Sequence, residues 1–134
     1  MGGGADSLAV RVLVIEDDAD TAALWTDVLT AQGYAVTVQA SALGVAAQLR
    51  AQRPAVVLLD LGLPYRSGAS LLAELKADPA TAGLPVVVVS AAPETLPPEY
   101  RGLAAAVLAK PVALATLSAA VRAAVTGTSV LRPR

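Results

Sequence analysis

The sequence contains no cysteine and no histidine. Disulfides, thiolate metal sites, cysteine nucleophiles, imidazole bases and histidine metal ligands are excluded with them, and most hydrolase triads go too. Phenylalanine is also missing, and one Trp and three Tyr are the whole aromatic complement. The apolar fraction of 55% leans on alanine, so a core must be assembled from Val, Leu and Ile. No apolar stretch escapes interruption by a charge, a proline or a turn residue before the roughly 18 residues that a membrane span needs, which leads to the expectation of a soluble, cytoplasmic protein without a membrane partner. An excess of charge of either sign is lacking as well: ten Lys and Arg stand against eleven Asp and Glu. The basic residues are scattered rather than gathered in a stripe, so direct nucleic-acid binding is not expected of this chain.

What is present has a simple order. A length of 134 residues suits one domain with one real core. Four runs rich in β-branched residues, Arg11 to Glu16, Ala35 to Gln39, Val56 to Asp60 and Val86 to Ser90, read as strands, with a weaker fifth over Ala105 to Ala109. Val-Val-Leu-Leu and Val-Val-Val-Val do not alternate with polar residues, the pattern of strands covered on both faces in a parallel sheet. Helical patterns lie between them: Asp20 to Gln32 closed by Gly33, Ser41 to Gln52, Gly68 to Ala77, and Leu114 to Val125. In the fourth connection Pro93, Pro97 and Pro98 leave only Glu99 to Ala106 for a short or irregular helix, with Pro98 suited to its first turn. Alternating β and α elements with right-handed crossovers predict an α/β, doubly wound three-layer sandwich, its five-stranded parallel sheet in the order 2-1-3-4-5 with about five helices. A flexible leader over 1–9, a folded domain over 10–125 and a loose tail over 126–134 complete the expectation.

Ligand sites of such sheets lie beyond the carboxyl ends of the strands. Strand one ends in Glu16-Asp17, with Asp18 and Asp20 just after, strand three in Asp60, strand four in Ser90, and strand five runs into Lys110-Pro111. The order 2-1-3-4-5 makes strands one and three neighbours and so gathers Glu16, Asp17 and Asp60. Two carboxylates roughly 4 Å apart repel by on the order of 4 kcal/mol at an effective dielectric near 20, so the cluster calls for a cation or raised pKa values. A hard divalent ion held by oxygens suits it, and Mg²⁺ is the expected one. Asp18 and Asp20 read instead as the N-cap and first-turn acids of helix one. Trp25 and Tyr34 read as packing or rim residues, and Arg66 as a solvated loop arginine. Lys110 and Ser90 approach Asp60 from the other side, and the whole suits a phosphoryl group beside a metal.

The segments Val-Leu-Val-Ile-Glu-Asp-Asp, Leu-Leu-Asp-Leu-Gly-Leu-Pro-Tyr-Arg-Ser-Gly, Val-Val-Val-Val-Ser-Ala and Ala-Lys-Pro, in that order and at near-usual spacing, resemble the receiver domains of two-component response regulators over roughly Arg11 to Val125. The resemblance implies that Asp60 accepts a phosphoryl group, that Asp17 and the Gly62 carbonyl bind Mg²⁺ directly, and that Glu16 acts on the metal through water. It makes Ser90 the switch hydroxyl and Lys110 the partner of phosphate and acceptor. It also implies a cis peptide at Lys110-Pro111, and a matching loop at Pro64 and Gly68. The donor is then a phosphohistidine on another protein, a histidine kinase or a histidine phosphotransfer protein, and the output an unspecified protein or domain.

Departures from the family pattern accompany the match. Val107 stands where the family usually carries Tyr or Phe, and the span from Ser90 to Lys110 is about two residues short, so a monomer or a non-standard dimer is expected. Other enzyme classes fit less well. A dinucleotide-binding turn would need Gly-x-Gly-x-x-Gly where Glu-Asp-Asp-Ala-Asp stands. An aspartyl phosphatase would place a second acid at Gly62. The remaining rival is a phosphorylation-independent interaction module, which Val107 and the proline-rich connection favour and the intact acids and lysine oppose.

Overall fold

The computed structural model describes residues 9–127. Five parallel strands, β1 (Arg11–Ile15), β2 (Ala35–Gln39), β3 (Val56–Leu59), β4 (Val86–Ser90) and β5 (Ala106–Ala109), form one sheet in the order β2-β1-β3-β4-β5. Five helices connect and flank them: α1 (Ala19–Ala31), α2 (Val45–Gln52), α3 (Gly68–Ala77), α4 (Pro98–Arg101) and α5 (Leu114–Val125), with a 3-10 turn at Pro93–Thr95. The order and the doubly wound layering are those expected from the alternation of β and α patterns.

The strands stay in place because alternate residues feed two different cores. Leu13, Ile15, Val57, Leu59, Val86 and Val88 face one side, where Val45 and Leu49 of α2 and Leu71, Leu72 and Leu75 of α3 cover them. Val12, Val14, Val56, Leu58, Val87 and Val89 face the other, against Trp25 and Leu29 of α1 and Leu117 and Val121 of α5. A slip of one residue in β3 would exchange its two sets of side chains between cores shaped for others, so the period of two pins the register. Both cores are aliphatic apart from Trp25, as the lack of Phe requires.

Local chemistry sets the helix ends. Asp18 is the N-cap of α1, its Oδ2 accepting the Thr21 amide at 2.9 Å, and Asp20 sits in the first turn, as their acidity suggested. Gly33 follows the helix with φ 97°, a conformation that suits glycine. Thr126 and Gly127, where the tail was expected to begin, close α5, the Thr126 amide bonding to the Arg122 carbonyl at 2.9 Å. The rest of the expected tail, and the leader apart from residue 9, lie outside the described residues.

Two expectations about helices need correction. The second helix starts at Val45 rather than Ser41, because Gly44 takes a left-handed conformation with φ 74° and the Ser41 hydroxyl accepts the Leu43 amide at 3.2 Å. The Gln39 Nε2 also donates to the Ser41 and Leu43 carbonyls, so that stretch is held as a turn. The fourth helix is confined to Pro98–Arg101, and β5 begins at Ala106, so the helix expected through Ala106 is half as long. Pro98 does occupy its first turn. Among the described residues no helix is long and apolar enough to cross a membrane.

Candidate functional site

The acidic residues meet where the pairing of β1, β2 and β3 ends. The Glu16 amide donates to the Gln39 carbonyl and the Asp60 amide to the Ile15 carbonyl, both at 3.0 Å, so each residue stands one step beyond its strand and is held by its neighbour. Carboxylate oxygens of Glu16, Asp17 and Asp60 lie within 4.8 Å of one another. Glu16 and Asp60 are buried, at 1% and 6% exposure, and Asp17 is exposed to solvent.

Lys110 closes the cluster from β5. Its amide donates to the Ser90 carbonyl at 2.8 Å, and the Lys110–Pro111 peptide is cis, as the family resemblance implied. The ammonium Nζ donates to Glu16 Oε1 at 2.7 Å and stands 3.5 Å from Asp60 Oδ2. Burial alone would draw the lysine pKa down, but the hydrogen bond to Glu16 and the charges of Asp60 and Glu16 outweigh it, and the ammonium is held above its ordinary range. Glu16 goes the opposite way from a simple ion pair. Burial pushes its carboxyl up, more than the bonds from Lys110 and the Asp18 amide pull it down, and Asp60 adds repulsion. Three carboxylates and one ammonium leave two negative charges in a partly buried site. All the donors are hard oxygens, so the residues present fit a divalent cation of the Mg²⁺ type.

Around Asp60 the backbone is unusually close. The Asp60 Oδ1 accepts the Gly62 amide at 3.2 Å, and the Gly68 amide donates to the Leu61 carbonyl at 2.9 Å. A Cβ on Gly68 would lie 2.3 Å from the Asp60 carbonyl oxygen and 2.7 Å from the Leu61 Cα, so only glycine lets α3 start against the loop after Asp60. Ser67 caps that helix, its hydroxyl accepting the Ser70 amide at 3.1 Å. In the loop, Tyr65 is 82% exposed and held at φ 71°. Arg66 lies in the loop as expected, a third exposed, and there pairs with Glu74 at 2.6 Å and bonds the Ser70 carbonyl at 3.1 Å.

Ser90 is 3% exposed at the end of β4, and its hydroxyl accepts the Ala92 amide at 3.0 Å. It shares with Asp60, Gly62, Ala92, Thr95 and Lys110 a depression of about 300 Å³, but its hydroxyl bonds neither the Asp60 carboxylate nor the Lys110 ammonium. Two neighbours were not singled out as site residues from sequence. Thr95 reaches the depression from the 3-10 turn, in a proline-rich segment with no periodic signal. Trp25, rightly expected to pack, also lies under Lys110, with Nζ 5.6 Å from the ring centroid. Its sole signal was being the one Trp in the chain.

A doubly wound sheet with acids beyond β1 and β3, a hydroxyl beyond β4 and a lysine beyond β5 defines a class of small signalling domains. The chain belongs to the response regulator receiver domain family, whose pattern it matches over residues 12–122. It is 35% identical over 91 residues to the DNA-binding response regulator MtrA of Mycobacterium tuberculosis, covering 68% of this chain and 39% of that protein. It is 34% identical over 84 residues to the transcriptional regulatory protein KdpE of Staphylococcus aureus, covering 63% of this chain and 35% of that one. The chain thus spans well under half the length of these curated relatives. Among solved structures it superposes on a sensor protein from Polaromonas sp. JS666 with a TM-score of 0.80 and 31% identity, over 87% of this chain and 96% of the other. A CheY-like response regulator receiver domain from Methylobacillus flagellatus gives a TM-score of 0.77 and 25% identity, over 87% and 98%.

Proposed function

We propose that the protein is a phosphoryl-accepting switch: Asp60 takes a phosphoryl group from a phosphohistidine of a histidine kinase or phosphotransfer protein, and the product alters a protein contact in the cytoplasm. The observation that carries the reading is the meeting of Glu16, Asp17 and Asp60 with a single ammonium, Lys110, at one edge of the sheet. Asp60 attacks as a carboxylate, which has no proton for a base to remove. One of its oxygens forms a bond to phosphorus while the bond from phosphorus to the donor imidazole nitrogen breaks, and the electron pair stays with that nitrogen.

This chain's own part is mostly positioning and charge. The Gly62 amide fixes one Asp60 oxygen, and Lys110, already beside the other, neutralises negative charge on the incoming group. Ser90 turns its hydroxyl from the Ala92 amide towards a phosphoryl oxygen, and that movement carries the signal into the 3-10 turn and α4. Glu16, Asp17, Asp60 and the Gly62 carbonyl would hold Mg²⁺, which when bound supplies positive charge against the carboxylates and the phosphoryl oxygens. Catalysis is limited to this self-directed transfer and the later loss of the group to water. With Val107 half-buried in place of an aromatic, and α4 of four residues, the readout is a monomer or a non-standard dimer.

The test is intact mass spectrometry after incubation with acetyl phosphate, with Mg²⁺ and with chelator. Wild type should gain one phosphoryl group only with metal, and Asp60→Asn none. A folded protein that binds Mg²⁺ but takes no label would replace this reading with the phosphorylation-independent interaction module.

A further inference from the structure

The mechanism above leaves unused the one aromatic ring that touches it. Trp25 lies on the buried stripe of α1 with Ala22 and Leu29, at 2% exposure, and its ring centroid is 5.6 Å from the Lys110 Nζ. That is within the range over which an indole face attracts an ammonium. On this side no carboxylate lies within 4 Å of the Lys110 ammonium, and Asp18 acts on it only from farther off. A depression of about 420 Å³ bounded by Thr21, Leu24, Ala91 and Pro111 opens there instead.

We infer that Trp25 is a positioning residue for phosphoryl transfer, a platform on which the Lys110 ammonium slides from Glu16 to a phosphoryl group on Asp60; the inference rests on the reading of Asp60 as acceptor. At rest the ammonium is nearer Glu16, at 2.7 Å, than Asp60, at 3.5 Å, so service to a group on Asp60 requires a short lateral shift. A hydrogen bond to a fixed acceptor is directional and weakens as the donor swings away. Attraction to a ring face is spread over the π surface, so the ammonium keeps its third contact along the path. An aliphatic residue at position 25 would fill the core but give no such hold, and Lys110 would have the depression beside it to turn into.

Trp25→Leu, Trp25→Phe, Lys110→Met and the Trp25→Leu/Lys110→Met double variant are compared with wild type for the rate of labelling by acetyl phosphate and Mg²⁺. Loss of one partly desolvated cation–π contact corresponds to a slowing of roughly three- to tenfold in Trp25→Leu. Trp25→Phe should recover most of the rate, and in the Lys110→Met background the leucine should cost nothing further. Wild-type labelling in Trp25→Leu, or penalties that multiply in the double variant, would overturn the inference. A readout independent of labelling is the proton resonances of the Lys110 ε-methylene, which the indole ring current moves upfield in wild type but not in Trp25→Leu. The emission of Trp25, the chain's one indole, should likewise change in Lys110→Met, even where a Trp25 variant fails to fold. If wild type takes no label, the acceptor reading fails, while unshifted resonances and unchanged emission overturn the Trp25–Lys110 contact by themselves.

Discussion

The two sides of the site are built differently. On the side of β1, β3 and α3 the packing is tight: each residue of β3 is buried, and α3 begins so close to Asp60 that a methyl group would not fit. On the side of β5 and α4 the strand is only half-buried, and neither the 3-10 turn nor α4 contains a buried residue. Leu96, at 1% exposure, is the anchor between those two pieces, helped by a bond from Arg101 Nη2 to the Pro93 carbonyl at 2.9 Å. Close packing preserves the geometry that chemistry needs, and sparse packing makes a segment inexpensive to move. The site thus stands between a rigid half and a yielding half.

Substitutions should break or sharpen that contrast in decreasing order of effect. Gly68→Ala strikes the rigid half, where the added atom meets backbone rather than a movable side chain. It should cost about 3 kcal/mol in a denaturant titration, the upper end of ordinary overpacking, and depress labelling of Asp60 as well. Leu96→Ala removes the anchor of the yielding half and should cost roughly 2–3 kcal/mol, yet leave labelling close to wild type; an equal loss of labelling would mean the halves are not separable.

Tyr65→Gly works in the other direction. Relief of a left-handed non-glycine residue exceeds the entropy a glycine loses, and with little packing at stake the unfolding free energy from a denaturant titration should rise by about 0.5–1 kcal/mol. The smallest effect is expected at Asp18, whose bonds from the Thr21 hydroxyl and amide lower its pKa. A lowered carboxylate contributes stability that is fully present above its unfolded value of about 3.9 and is lost as the pH falls through the folded one. Asp18→Asn keeps a cap but should flatten the acid limb of stability measured between pH 5 and pH 2.

The sequence was most legible where physics is local or repetitive. The uninterrupted Val and Leu runs could only be strands covered on both faces, and once their order was inferred the carboxyl ends brought Glu16, Asp17 and Asp60 together without any side-chain detail. Strands one and three end a residue earlier than expected, at Ile15 and Leu59, a difference that leaves the acids at the same edge. The start of α2 was illegible because Ser41 to Gly44 carry no periodic signal, and a left-handed glycine and a glutamine side chain decide the turn. The surface pair of Arg66 was illegible for a similar reason: its partner Glu74 lies two turns into α3, while the arginine itself precedes the helix. The pairing of Lys110 with Glu16, and the ring beneath it, depend on how a long side chain crosses from one edge strand to the sheet centre, which no spacing along the chain encodes.

The bond from Lys110 to Glu16 joins residues 94 positions apart. During synthesis at roughly 5–20 residues per second, Glu16 is added to the chain roughly 5–20 s before the lysine that pairs with it. A nascent chain therefore carries its acids without their counter-charge. The cluster is completed only with the last strand, so an unfinished copy holds the carboxylates without the ammonium that closes them in.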